Sequence, residues 1–227
     1  MTTYFPDFSA DGEAITFEAA QPDRTGSFYH QNVKRWIDVA LVVFSLPVVL
    51  PVVALMSLLV MMDGHNPLYF QRRIGQGGKI FRIWKMRTMV PGSDAALQAY
   101  LDANPAARAE WDATQKLRKD PRITLVGRVL RKTSLDELPQ LWNVLNGTMS
   151  LVGPRPMMVS QQLLYPGRAY YALRPGITGL WQVSDRNDST FAGRAVYDDR
   201  YARCVSLKTD LRVLVQTVGV VLRATGH

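Results

Sequence analysis

Cysteine is nearly absent from this 227-residue chain: Cys204 stands alone, so no intrachain disulfide can form and a reducing compartment suits it. Histidine is scarce too. His30, His65 and His227 are scattered and, with one thiol, offer no zinc-ligand spacing. The opening residues lack a basic start followed at once by an apolar core, so no secretory signal peptide is expected. Only one long apolar run occurs, which excludes a polytopic channel or transporter. Acidic side chains thin out after residue 27. Residues 1–27 hold five acids and one base, a sum of −4, whereas the remainder carries 26 bases against 14 acids, or +12. The acidic, apolar-poor lead, taken as residues 1–30, reads as a flexible tail. The excess positive charge must face something anionic: nucleic acid, phospholipid or a phosphorylated substrate.

The apolar run is "VALVVFSLPVVLPVVALMSLLVMM", Val39 to Met62, with 24 uncharged residues. A helix needs roughly 20 to cross a bilayer, so membrane association is expected. Both flanks are basic, Lys34 and Arg35 before it and Arg72, Arg73, Lys79, Arg82, Lys85 and Arg87 after it. Basic flanks favour the cytoplasmic side, so both ends want the same face. Pro47 and Pro51 interrupt the middle, and Ser45 could satisfy a carbonyl freed there. A re-entrant helix over residues 31–63, bent at Ser45, Pro47 and Pro51, reconciles these features. A straight, kinked span remains the alternative.

The rest of the chain, residues 64–227, reads as a compact cytoplasmic body, mainly α with a small β-hairpin. "YFQRRIGQGGKIFRIW" reads as the hairpin; its glycines are wrongly spaced for a nucleotide P-loop and need no ligand. Helices are expected over residues 94–117, broken at Asn104-Pro105, and over 124–132 and 138–145, the last ending near Asn146-Gly147. At the C-terminus Leu207, Leu211, Leu214, Val218 and Val221 share one helical face, and Lys208, Arg212, Gln216, Gly219 and Arg223 share another. Such a helix suits a membrane interface or a soluble core equally.

Two adjacent carboxylates, Asp136 and Glu137, stand in "TSLDELPQL". Ser134 with Glu137 three residues on fits a capping box at a helix start, near which Pro139 also sits best. The structural and chemical readings are evenly balanced on local grammar. Downstream, Arg155 lies between Pro154 and Pro156 in "SLVGPRP", a stiff presentation suited to bidentate phosphate binding. Arg174-Pro175-Gly176 repeats the arrangement. Pro-fixed arginines, paired carboxylates and a membrane segment together suggest phosphate chemistry on a lipid substrate.

The motifs "KRWIDV", "QRRIGQGGKIFRIWKMRTM", "SLDELPQLWNVLNGTMSLVGPRP", "RPGITGLWQVS" and "YDDRYARCVSLKTDL" occur in order from about Val33 to the end. Through them the chain resembles the small monotopic phosphoglycosyl transferases, the bacterial sugar transferases, and most of all the rhizobial-type enzymes that start exopolysaccharide. The resemblance implies transfer of a hexose phosphate, galactose phosphate first and glucose phosphate as the alternative, from a UDP-hexose to undecaprenyl phosphate with release of UMP. It implies Asp136 as the nucleophile of a covalent phosphosugar intermediate, with Glu137 beside it and Mg²⁺ held at Asp136 and Glu137. Arg155 matches the phosphate-binding Pro-Arg-Pro, with Lys85, Arg87 and Arg131 as further phosphate contacts. It also implies interfacial helices on membrane phospholipid, at the cytoplasmic face of the bacterial inner membrane. The re-entrant break is commonly an adjacent Ser-Pro in that family, whereas Leu46 separates Ser45 from Pro47 here. Self-association is left open. A non-catalytic membrane scaffold is the competing reading. A nucleic-acid partner rests on net charge alone and is not expected.

Overall fold

The computed structural model describes residues 28–62, 64–114, 117–184 and 191–222. Of the flexible-tail expectation for residues 1–30, residues 1–27 lie outside the described residues, as does Arg223 on the last helix, whereas residues 28–30 are helical. A π-helical turn, Tyr29–Val33, leads into α1, Lys34–Met61. Helical pattern continues across Pro47 and Pro51. Ser45 Oγ donates to the carbonyl of Val42 at 2.7 Å. The carbonyl that Pro47 deprives of its i→i−4 donor is that of Val43, so Ser45 serves its neighbour instead.

Val42 and Leu46 of α1 pack with Phe81, Ile83 and Val144, and Val53, Met56 and Val60 pack with Met86 and Leu130. Both halves of the helix therefore rest on the same body. The outer side stays bare: Phe44 is 90% exposed and Val48 71%. This is the one helix among the described residues long and apolar enough to cross a membrane. An apolar surface this extensive is unusual on a protein facing water alone.

The expected hairpin forms. β1, Leu68–Ile74, pairs antiparallel with β2, Ile80–Met86, from Leu68 opposite Met86 to Ile74 opposite Ile80. Gly77 and Gly78 make the turn at positive φ, which glycine adopts without steric cost. α2, Ser93–Ala103, and α3, Pro105–Thr114, divide at Asn104-Pro105 as read from the chain. α4, Leu125–Thr133, starts at Thr124, whose hydroxyl accepts from the Gly127 N–H at 2.9 Å. α5, Gln140–Leu145, follows Pro139 and ends at Asn146, with Gly147 in the left-handed region.

A second sheet was not anticipated. β3, Ser150–Val152, pairs parallel with β4, Gly176–Thr178. Three-residue strands carry too little alternation to be recognised, and their pairing spans a long connection. That connection holds a 3₁₀ segment, Val159–Leu164, and α6, Ala169–Ala172. After β4 come α7, Leu180–Val183, α8, Arg194–Cys204, and α9, Leu207–Leu222.

α9 presents three faces rather than two. Val213 and Asp210 are buried and Leu214 packs beside them, against Val152, Leu173 and Tyr201. The face expected to be apolar, Leu207, Leu211, Val218 and Val221, is exposed, and only Leu214 of that set is half-buried. Lys208, Arg212 and Gln216 are exposed beyond it. The core is reached through Asp210 because its charge is met by a buried cation. Lys34 Nζ lies 2.5 Å from Asp210 Oδ2, and the hydroxyls of Tyr29 and Tyr201 donate to the same carboxylate at 2.8 and 2.6 Å. One turn on from Lys34, Asp38 accepts from Ser150 Oγ at 2.6 Å and from the Leu151 N–H at 3.3 Å.

Breaking a buried ion pair strands its partner, at about 3–5 kcal/mol. Lys34→Met is therefore expected to lower the unfolding free energy by about that amount. Denaturant titration of the detergent-solubilised protein measures it; an unchanged midpoint would mean that the two tyrosine hydroxyls suffice for Asp210.

Candidate active site

Ser134 is the only non-glycine residue at positive φ among the described residues, with φ 57°. It ends α4, and the chain reverses into a single 3₁₀ turn, Leu135–Glu137. The expected capping box does not form. Capping by a serine side chain needs an extended backbone at the serine, whereas Ser134 is left-handed and its side chain makes no cap bond. Glu137 is turned instead toward cations. Lys85 Nζ on β2 lies 2.9 Å from Glu137 Oε1 and 3.9 Å from Asp136 Oδ2, and Arg155 Nη2 lies 3.4 Å from Glu137 Oε1. Positive potential at the carboxylates thus comes from side chains on separate elements rather than from a helix end.

Asp136 is buried, and burial holds its carboxyl above the ordinary range. Lys85 opposes that rise, Glu137 adds to it, and the charges of Arg131 and Arg155 oppose it more weakly. Arg131 Nε donates to Thr88 Oγ1 at 2.8 Å, and burial pulls its own pKa down. Of the expected phosphate contacts, Lys85, Arg131 and Arg155 gather at the carboxylate pair. Arg87 does not. Its guanidinium donates to the carbonyls of Asn66 at 2.8 Å and Val60 at 3.1 Å, fastening the end of α1 to the start of the hairpin.

The second sheet aims Arg155. Gly153 N–H donates to Thr178 O at 2.9 Å and Gly176 N–H to Pro154 O at 2.8 Å. A Cβ on Gly176 would sit 2.1 Å from the nitrogen of Gly153, so only glycine permits this approach. Two further arginines brace the loop. Arg194 Nη2 donates to the carbonyl of Arg155 at 2.7 Å, and Arg73 Nη1 to that of Pro156 at 3.3 Å. Burial lowers both, and Arg73 is pushed down to about 10. Arg194 also stacks on Trp181 and Phe191, 4.8 and 4.9 Å from their ring centres. Reading the chain missed Arg194; its aromatic neighbours, Phe191 three residues before it and Trp181 thirteen before it, form no spacing that marks a site.

Asp136 and Glu137 are the carboxylates available for a cation, and no group of three or more His, Cys, Asp or Glu forms a metal cluster among the described residues. Two carboxylates together with substrate phosphates are the donor set that Mg²⁺ usually takes. The residues fit that ion. Glu137, Arg155 and Ile177 also border two cavities, a small one with Arg73, Lys85 and Gln140 and a cleft of about 220 Å³.

Behind Arg194, Asp198 accepts from Tyr165 Oη at 2.5 Å, and burial pushes its pKa up to about 6 despite that bond and the charge of Arg194. Between the ordinary carboxyl value and about 6 the native protein holds a proton that the unfolded chain has released. Asp198 therefore favours folding at low pH, and that contribution vanishes as pH rises through about 6. Between pH 4 and pH 7.5 the native sequence should lose about 2 kcal/mol of stability relative to Asp198→Asn. Denaturant midpoints of both proteins at the two pH values test this, and a constant difference would refute it.

Residues 29–224 match the model of a family described as bacterial sugar transferase. The chain is 44% identical over 196 residues to the UDP-galactose-lipid carrier transferase of Erwinia amylovora, covering 86% of this chain and 41% of that protein. It is 45% identical over 196 residues to the exopolysaccharide production protein ExoY of Sinorhizobium fredii, covering 85% and 87%. It is 44% identical over 196 residues to the undecaprenyl-phosphate galactose phosphotransferase of Salmonella typhimurium, covering 86% and 41%. The chain thus spans about two-fifths of the length of the Erwinia and Salmonella proteins and most of the Sinorhizobium one.

Proposed function

Because the chain belongs to the bacterial sugar transferase family, we propose that it moves a hexose phosphate from a UDP-sugar to undecaprenyl phosphate, the first step of exopolysaccharide synthesis. Galactose phosphate is the cargo assigned here, from the names of the Erwinia and Salmonella relatives. The observation that carries the reading is the buried Asp136 beside Glu137, ringed by Lys85, Arg131 and Arg155. Such a group suits a nucleophile that must approach phosphates without being repelled.

In the proposed reaction the carboxylate of Asp136 attacks the phosphorus that carries the sugar. A P–O bond to Asp136 forms as the bond to the leaving UMP breaks. An oxygen of polyprenyl phosphate then attacks the same phosphorus, forms the diphosphate and returns the carboxylate. Splitting the transfer keeps the two large anions from having to meet in one step. Arg155 and Lys85 receive phosphate oxygens, and Arg131 lowers the cost of charge at Asp136. Mg²⁺ held by Asp136 and Glu137 with the donor phosphates would neutralise negative charge on the leaving group.

Burst measurements of UMP release test these assignments. Wild-type protein given UDP-galactose should release one equivalent, and turn over only when polyprenyl phosphate is added. Asp136→Asn should abolish both phases; normal turnover by that variant would remove Asp136 as nucleophile. Glu137→Gln should cost a hundredfold or more, beyond the roughly 10–100-fold typical of residues that only orient a ligand. A panel of UDP-sugars identifies the cargo.

The same proposal makes α1 re-entrant and places the body on the cytoplasmic face of the inner membrane. Support comes from the two halves of α1 packing on one body, the basic flanks, and the exposed apolar face of α9 beside its basic face. In a Cys204→Ser background, cysteines introduced at Phe28 and Gly77 should both be labelled only from the cytoplasmic side. Periplasmic labelling at position 28 would make α1 a true span.

A further inference from the structure

The cleft of about 220 Å³ beside Glu137 and Arg155 has a divided lining. Its charged end is that pair, which it shares with the smaller cavity. Beyond it, Leu135, Leu138 and Leu141 form one side, and Val183, Val220 and Val221 the other. The threonine hydroxyls at its border are already satisfied: Thr178 Oγ1 and Thr217 Oγ1 are 2.7 Å apart, and Thr217 donates to Val213 O at 2.7 Å. Gln182 Oε1 is the exception in the lining, buried and without a hydrogen-bond partner, so the cleft is mainly rather than wholly apolar. At Val221 the lining passes onto the exposed face of α9, where Val218 and Leu211 continue it.

Size narrows the occupant. Sites that enclose drug-sized molecules hold about 300–1,000 Å³, so this cleft is too small for a whole sugar nucleotide. A short apolar stub attached to an anion fits both its volume and its division. Charge agrees, since Arg155 stands at the polar end with 30% of its side chain exposed. Continuity agrees too, because the far end leads to the apolar surface of the last helix.

We propose that this cleft receives the isoprene units nearest the phosphate of the polyprenyl phosphate acceptor. The acceptor phosphate lies against Arg155, within reach of a phosphosugar on Asp136, and the chain leaves along the exposed face of α9. This rests on the transfer reaction proposed above. It assigns the acceptor to the side of the Glu137–Arg155 pair formed by α9.

Val221→Trp fills the rim of the cleft at a position already 38% exposed, where added bulk is tolerated by the core. In the full chain, in detergent or nanodiscs, the KM for polyprenyl phosphate divided by the KM for the UDP-sugar should rise about tenfold, the loss expected when about two methylene groups forfeit burial. An unchanged ratio, or one that falls because donor binding suffers more, would overturn the assignment. Wild-type protein photolysed with a diazirine-bearing prenyl phosphate gives a second measure, independent of any variant. Adducts are expected within residues 135–141 and 217–222; adducts confined to α1 would overturn it. Absence of a UMP burst from wild-type protein with every UDP-sugar would instead sink the transfer reading itself.

Discussion

A buried ion pair closes this molecule on itself. Lys34, at the first residue of the apolar helix, meets Asp210 on the last helix, 176 residues away, with both side chains almost wholly buried. A pair like this gains little net stability over apolar residues of the same size, but it tolerates no substitute partner and so fixes geometry. Tyr29 and Tyr201 complete the carboxylate's hydrogen bonds. One helical turn on from Lys34, Asp38 holds Ser150 and Leu151, the first residues of β3. The position of β3 sets that of Gly153-Pro154-Arg155. A polar anchor at the entry of the apolar helix is thus continuous with the loop that points a guanidinium at the carboxylate pair.

That continuity explains why so many cations can crowd one site. Arg73 and Arg194 are buried near Arg155, and burial lowers the pKa of both, because leaving water disfavours the charged form. The cost is offset locally by backbone carbonyls, aromatic faces and Asp198. Neither guanidinium is needed at the reacting atoms. Each holds one carbonyl of the Arg155–Pro156 stretch, so the loop cannot swing toward Glu137 or away from it. Rigid support of this kind is what keeps a phosphate-binding side chain in productive geometry.

Much of this was legible in the chain, and what was not has physical reasons. The hairpin, the break at Asn104-Pro105 and the helix capped by Thr124 depend on local signals, and they appear where those signals stand. Asp136, Glu137, Lys85, Arg131 and Arg155, singled out one by one in the chain, lie near one another in the fold. The β3–β4 pairing was hidden because strands of three residues have no period to detect and their contact is made by glycines. The buried face of α9, Asp210 and Val213, was hidden for a related reason. Periodicity ranks side chains by polarity, and Asp210 ranks as solvent-facing until Lys34 is known to lie opposite it. Ser134 misled through residue type: serine followed by glutamate suggests a cap, but the left-handed backbone at Ser134 makes a reversal instead.

The arrangement at Glu137 also indicates which cation is free to change partners in the proposed reaction. Lys85 sits 2.9 Å from Glu137 with 20% of its side chain exposed, and it reaches Asp136 as well. Arg155 stands at 3.4 Å with 30% exposed. A longer, wetter ion pair is worth little, on the order of 0–1 kcal/mol. A phosphate offering two oxygens to the guanidinium makes a stronger bond than one carboxylate oxygen at that distance. Arg155 is therefore the side chain that an incoming phosphate can draw away from Glu137, while Lys85 remains to hold the carboxylates apart from each other's charge. Exchange at Arg155 also removes one of the two cations at Glu137 Oε1, the carboxylate proposed to share in holding Mg²⁺. Anion arrival and cation binding would then favour one another, through a side chain that the two cavities share.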